Sequence, residues 1–539
     1  MIISKKKILY DSNSNVDFVD LDRFKVYFKG LIYINGFKCG YDTIVEVVNN
    51  LSENGKINFN KIKGNYFIII IDNQKKYKYI FSDNSGIMKI YFNNDTISNS
   101  FLELINSNNL SDKKLNYRSI MDFLHFGFIY FNETFLNDVS ILSKDKYFEI
   151  DDFDNVLSKD KSIAKISDEI ALDFYNHFEY INKALTGKKI SIDLTGGIDS
   201  RLIVTMLSTL NSDFELAISG INGNKDIKIA SKIAKIIKKE FFPTYHNPTN
   251  ITESDLFSIF DITDAQIDIV GYHRNYQLNQ ERKQRGVDIQ ISGVGGELYK
   301  DFWWLQDFPF YKRKKSNIEK LYNFRIESIG FPHHILEKEM QQISQNFKQL
   351  TIERLNDYLL EFNTQTYDNI YYNYKMQGNA SAYIRAASNY FTSFAPLLDL
   401  DLVRFGFLFS RNERFFNNFH REQISKYNSE LAKIKTTELI SCSSSTIYKC
   451  ADVFSYLYDK QLRLSKQILR KIVKKTHFQE TPTDNRIYGF VKEFSMIAEI
   501  ENILKKNRII NHKTDIKSIN NNYFGRFITL GLFLKRIGE

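Results

Sequence analysis

The 539-residue sequence holds only 3 cysteines, 6 prolines and 2 tryptophans. Cys39, Cys442 and Cys450 stand far apart with no CysXXCys pair, so neither a disulfide framework nor a cysteine metal site is expected. No uncharged apolar run reaches about 18 residues, which excludes a transmembrane helix. The opening stretch MIISKKKILYDS has lysines but no apolar segment behind them, and makes a poor secretory signal. These absences together predict a cytoplasmic protein without a membrane partner. The shortage of proline goes with abundant lysine, asparagine, isoleucine, tyrosine and phenylalanine, a pattern of AT-rich coding. No internal repeat is found.

The formal charge of +9 raises the question of nucleic acid. The basic residues are spread along the chain, except for a cluster at 459–475 that reads as an amphipathic helix with a solvated cationic face. No nucleic-acid partner is therefore expected. A hydrophobic content of 43% and an aromatic content of 15% are ample for large cores, and the length exceeds one ordinary domain.

Residues 1–160 read as β-rich. Short apolar or alternating runs at Phe24–Phe28, Leu31–Ile34, Tyr66–Asp72, Tyr77–Phe81 and Lys89–Phe92 are punctuated by Asn-Gly, Asp-Asn and Asn-Asn pairs. The polar stretch 155–170 is a boundary, and the period changes after it. A helix over Asp168–Lys183 is expected, then a strand over Lys189–Leu194, a glycine turn, and a helix from Asp199 to about Leu210. A strand over Glu215–Ser219 precedes a helix from Asp226 to about Lys239, and a further strand spans Asp288–Ser292. Alternating strand and helix predict a parallel α/β sheet. Beyond about residue 305 the pattern is mainly helical.

In such sheets ligands sit outside the carboxyl ends of the strands. The turn Thr195-Gly196-Gly197-Ile198-Asp199-Ser200 falls at one such end and opens a helix, whose free N–H groups favour an anion. Thr195 and Ser200 each offer a hydroxyl. Asp199 would repel a bare phosphate, and makes sense if Mg²⁺ lies between the two. The turn is not a Walker loop, because the following lysine is missing, and it is not a GxGxxG dinucleotide turn. A second turn, Ser292-Gly293-Val294-Gly295-Gly296-Glu297, ends another strand and offers Glu297 as a second metal ligand. Either turn alone is equally readable as a tight connection with an exposed carboxylate; together they suit a magnesium-clamped pyrophosphate.

Residues 190–201 resemble the pyrophosphate loop of the asparagine synthetase family, the N-type ATP pyrophosphatases, with threonine in place of the first serine of SerGlyGlyXAspSer. The turn at 292–297 resembles that family's second motif, so that Glu297 stands for a magnesium-binding aspartate. Asp226 and Ala230 on the helix after Ser219, the segment 395–403 and the stretch from 418–422 through 431–435 are similar in order. Residues 63–72, 81–92, 124–134 and 139–143 resemble the family's glutaminase-type sandwich.

The resemblance implies an N-terminal glutaminase-like (Ntn) sandwich over 1–160. A synthetase domain of the adenine-nucleotide α-hydrolase type would follow over 161–539, with its helical extension from about 305. It implies ATP and Mg²⁺ as cofactors and adenylation of a carboxylate, with displacement of AMP by ammonia or an amine. Asp199 and Glu297 would hold the metal. Thr195, Gly196, Gly197, Asp199, Ser200, Ser219, Ser292 and Gly293 would hold the nucleotide, and Lys435, with Lys433 beside it, would stabilise charge as AMP leaves. A homodimer is compatible with the family.

Three departures shape the expectation. The family's N-terminal nucleophile is a cysteine after the initiator methionine, whereas residue 2 here is Ile2 and Cys39 is internal, so the first domain reads as a degenerate scaffold. Nitrogen would then come from free ammonia, a substrate amine or a separate protein. Val294 stands where asparagine synthetases carry glutamate and β-lactam synthetases tyrosine, and valine moves no proton. Arg201 follows the loop where a small residue is usual; it either binds an acidic substrate or pairs within the fold. Asp399 either binds a substrate amine or caps a helix. Trp303-Trp304 line a pocket or pack in the core, and His333-His334 read as surface residues.

The expected activity is an AMP- and pyrophosphate-forming amide ligase acting on a small or peptide carboxylate, without glutaminase activity. The alternatives are a lasso-type peptide cyclase or other natural-product amide synthetase, and an inactive ATP- or partner-binding pseudo-synthetase. Thiolation or tRNA-lysidine-type modification uses a similar loop, but the missing CysXXCys pair and the first domain argue against it.

Overall fold

A computed structural model describes residues 2–4, 7–9, 16–107, 114–327, 330–455 and 485–538. The basic cluster at 459–475 lies outside the described residues. Among the described residues eleven strands precede residue 161: β1 Ile2–Ser4, β2 Lys7–Leu9, β3 Asp17–Leu21, β4 Phe24–Tyr33, β5 Lys63–Asp72, β6 Tyr77–Ser82, β7 Tyr91–Phe92, β8 Thr96–Ser98, β9 Ser140–Ile141, β10 Lys146–Ile150 and β11 Val156–Asp160. They form two antiparallel sheets, ordered β11-β10-β6-β5-β4-β3 and β2-β1-β8-β7-β9.

The run TyrPheIleIleIleIle of β5 has no polar alternation because both faces of the strand are covered. With the side-chain period of 2, Tyr66, Ile68 and Ile70 join Ile44, Val47, Val48 and Leu51 of the helix Tyr41–Asn54. Phe67 and Ile69 face the other way, toward Ile90, Ile97 and Phe148. The two runs expected at 24–28 and 31–34 are one strand, β4, which pairs with β5 over its whole length.

The second unit is a parallel sheet of β12 Ile190–Asp193, β13 Glu215–Gly220, β14 Phe241–Tyr245, β15 Ile289–Ile291 and β16 Thr392–Phe394. Its order is β14-β13-β12-β15-β16, every neighbour parallel. The molecule is thus mixed α/β, with an antiparallel β-rich N-terminal region and a parallel five-stranded sheet with helices.

Local chemistry sets the helix ends. The helix expected from Asp168 starts at Phe174, because the Asp173 side chain accepts the Asn176 N–H and caps it there. The helix Lys225–Ile237 is likewise started by Asn224, which accepts from Asp226 N. Beyond residue 305 the chain is not wholly helical, since β16 returns to the sheet edge. Among the described residues no helix is long and apolar enough to cross a membrane.

Candidate functional site

The carboxyl ends of β12, β13 and β15 open on one cleft of about 360 Å³. Thr195, Gly197, Asp199 and Ser200 line it from the first turn, Ser292, Gly293, Val294 and Glu297 from the second, and Ser219 and Arg274 from between them. Larger hollows of 680 Å³ and 440 Å³ lie elsewhere, against the β10–β11 hairpin and around Lys89 and Arg385; neither is lined by a glycine turn of the parallel sheet.

The first turn is held from within and from the neighbouring helix. Thr195 Oγ1 accepts the Gly197 N–H at 3.2 Å, and Ser200 Oγ accepts the Thr195 N–H at 3.3 Å. Asp226 Oδ1 accepts the Gly196 N–H at 2.9 Å. The helix that follows, Asp199–Thr209, carries no side-chain cap, so its first N–H groups are left for another acceptor.

The two turns press against each other, which explains two of their glycines. A Cβ on Gly293 would stand 2.9 Å from Ser200 N, and one on Gly296 would stand 2.2 Å from Asp199 Oδ1. No larger residue fits either place without moving the other turn.

A charged cluster surrounds the two carboxylates. Lys300 Nζ lies 2.6 Å from Asp199 Oδ2, and His420 Nε2 lies 2.9 Å from Asp199 Oδ1 at ion-pair range. The His420 contact is not aligned as a hydrogen bond. Burial works against the charge of Asp199, but Lys300 and His420 outweigh it and hold the carboxyl well below the usual range. Burial likewise opposes the Lys300 ammonium, and Asp199 and Glu297 together carry it above the ordinary lysine value. Burial pushes His420 down despite Asp199. Tyr371 donates a short hydrogen bond to Glu297 Oε2; burial and then the Glu297 charge raise its phenol well above the usual value, so it keeps its proton.

The structure therefore brings Asp199 and Glu297 to one cleft, with protein partners already on them. An Mg²⁺ ion needs nearly octahedral oxygen ligands. Lys300 and His420 stand against the two Asp199 oxygens, Gly296 packs against the carboxylate, and one Glu297 oxygen is taken by Tyr371. Among the described residues no group of three or more His, Cys, Asp or Glu is placed to hold a metal. The side chains do not fit a resident magnesium ion.

The remaining expected residues divide. Ser219 lines the cleft; its carbonyl accepts from Arg274 Nη2 at 2.9 Å, while its buried hydroxyl has no partner. Lys435 and Lys433 are exposed and do not line the cleft, although their segment touches the loop where Thr437 N–H reaches Gly196 O at 3.3 Å.

Arg201 pairs within the fold. It is fully buried, and its Nη1 donates to the carbonyls of Leu431 and Ile434 and to Cys442 Sγ. Asp399 caps the helix Leu400–Phe407 and also accepts from Tyr33 and the Gly64 N–H. Trp303 and Trp304 are core residues, Trp304 donating to Asp368 at 3.1 Å. His333 is not a free surface residue: its Nδ1 lies 2.8 Å from Ser344 Oγ.

Lys300, His420, Tyr371 and Arg274 were not expected in the site. Lys300 stands three residues past Glu297 and His420 within the stretch 418–422, so both had a positional signal. Tyr371 begins a π-helix, Tyr371–Ala380, in a region without apolar periodicity, and had none. No family model matches the chain, and no curated protein proves similar to it.

Proposed function

We propose that the protein is an ATP-dependent, AMP-forming amide ligase of the asparagine synthetase type, with a glutaminase-like first domain that lacks its nucleophile. One observation carries this reading. Two glycine turns at the ends of the adjacent parallel strands β12 and β15 pack against each other and line one cleft, at the uncapped start of the helix Asp199–Thr209.

In this proposal the N–H groups opening the helix Asp199–Thr209 and the hydroxyls of Thr195 and Ser200 hold the β- and γ-phosphates. Ser219 and Arg274, at the end of β13, receive the nucleoside side. A substrate carboxylate attacks the α-phosphorus, forming an acyl-adenylate as the P–O bond to pyrophosphate breaks. Ammonia or an amine then attacks the acyl carbon, and AMP leaves with the bonding pair. The segment carrying Lys435 touches Gly196 through the Thr437 N–H, but Lys435 itself is exposed and outside the cleft lining, so it is given no part in the reaction. The resemblance calls for Mg²⁺, but the side chains do not present a ligand set for it. Tyr371 keeps its proton and donates it in a hydrogen bond to Glu297 Oε2, beside Val294, which carries no proton to move.

The test is pyrophosphate release over a panel of carboxylates, each with ammonia and with amines. Release with AMP and an amide product is expected, and Thr195→Ala with Ser200→Ala, which removes the two hydroxyls given to the phosphates, should sharply lower it. Nucleotide binding with no product under any condition would leave a nucleotide-binding pseudo-synthetase instead.

A further inference from the structure

We propose that Lys300 does at Asp199 what a divalent cation would do, so that the cleft binds the polyphosphate of its nucleotide without a metal. This rests on the nucleotide reading above and adds a property that the reading does not contain.

A carboxylate at the mouth of a phosphate loop is a liability unless a cation cancels it. Here the cation is covalently supplied. Lys300 Nζ sits 2.6 Å from Asp199 Oδ2, and its side chain is only 17% exposed, so the pair is weakly screened. The second oxygen faces His420, and the carboxylate rests on Gly296 with no space for an added atom on that side. The other candidate ligand, Glu297, accepts from Tyr371. Lys300 also lies within electrostatic reach of Glu297 and thus balances both carboxylates. Arg274 adds a second cation on the cleft wall, with a buried Nε that has no partner. A magnesium ion, which gives up its water reluctantly, would have to break the Asp199–Lys300 pair to enter. Lys300 acts through Asp199 and is a positioning residue.

Titration calorimetry of the full chain with ATP and with pyrophosphate, in EDTA and in Mg²⁺, tests this. The wild type should bind within about threefold equally in the two buffers. Lys300→Met frees the Asp199 charge, and should lose at least about tenfold in EDTA and recover with Mg²⁺. Lys300→Arg should stay metal-independent, and Lys300→Met with Asp199→Asn should regain binding in EDTA. A merely structural lysine would weaken both buffers alike, which would overturn the assignment. Wild-type binding that requires Mg²⁺ overturns it while leaving the nucleotide reading intact, and decides the matter even if Lys300→Met does not fold. Binding in neither buffer removes the nucleotide reading and this inference with it.

Discussion

Beneath the cleft a chain of polar side chains ties the sheet together, and Arg282→Met should break it. Arg282 is 1% exposed; its Nε donates to Ser191 Oγ at 3.0 Å and its Nη2 to Asp193 Oδ1 at 2.5 Å. Gln290 Nε2 donates to the other Asp193 oxygen at 2.5 Å, and Ser393 Oγ donates to Gln290 Oε1 at 2.6 Å. One guanidinium thus links the helix Ile269–Gln284 to β12, and through Asp193 and Gln290 to β15 and β16.

Removing one partner of a buried pair costs about 3–5 kcal/mol. The Asp193 side chain is 29% exposed and recovers some hydration, which lowers this to about 2–3 kcal/mol. The orphaned Ser191 hydroxyl adds about 1 kcal/mol. Methionine fills much of the aliphatic volume, so the cavity contribution is small. The expected loss is about 3–4 kcal/mol. Asp193→Asn should also destabilise, because it leaves a buried guanidinium without its counter-charge. The double variant should lose less than the sum of the two, by about 2 kcal/mol. Urea unfolding followed by tryptophan fluorescence reads this, because both tryptophans, Trp303 and Trp304, are buried at 4% and 5% exposure and become exposed on unfolding. A single variant within about 0.5 kcal/mol of wild type, or an additive double, would refute the reasoning.

Asp122 is buried, one of its oxygens has no hydrogen-bond partner, and burial pushes its carboxyl up to about 8. A folded-state value above the unfolded one of about 4 means that the folded protein binds the extra proton, so stability falls as pH rises from about 4 to about 8. Asp122→Asn should remove that fall and gain on the wild type by a few kcal/mol at pH 8 and above, with little gain near pH 4; equal melting at both pH values for the two proteins would refute it. Thiol titration under native conditions should find the exposed Cys450 fast and the half-buried Cys39 slow. Cys442, buried against Arg201 with its thiol pushed up by burial, should react only on unfolding. Fast modification of two or more thiols would contradict the packing.

Where the chain folds by local rules, its sequence was readable. The β12 turn and the helix after it fall within a residue of their expected limits, because an apolar run, a glycine pair and a helical period occur there in order. β14 and β16 went unread. β14 is Phe241–Tyr245, interrupted by Pro243, and β16 has only three residues whose place is given by its neighbour β15. The cleft follows the same division. Asp199, Ser200 and Glu297 are legible because each lies in a glycine turn or helix start directly after a strand, and Ser219 because it lies at the end of β13. Lys300, His420 and Tyr371 reach the two carboxylates by tertiary packing; Lys300 and His420 fall beside recognisable motifs, but nothing in the sequence pairs them with Asp199. The resulting neutralisation of Asp199 is a property of the folded chain alone.

Tertiary packing also gives the β-rich first region a structural role at the parallel sheet. β16 is the edge of the parallel sheet, and a bare edge exposes unpaired backbone groups. The start of β5 covers the segment that leaves this edge. Asn65 Oδ1 accepts the Ala395 N–H at 3.0 Å, Gly64 N–H reaches Asp399 at 3.3 Å, and Tyr33 OH reaches Asp399 at 3.2 Å. Lys63 pairs with Asp401, and Ser85 donates to the Leu398 carbonyl. Tyr33 also meets Phe394 of β16 edge-to-face, and Leu31, Tyr33 and Ile87 belong to the same apolar core as Ile192 and Ile291. A β-rich region joined this closely to the sheet edge stabilises the parallel sheet whatever else it does. What the α/β unit takes from its neighbour is packing and hydrogen bonds at β16.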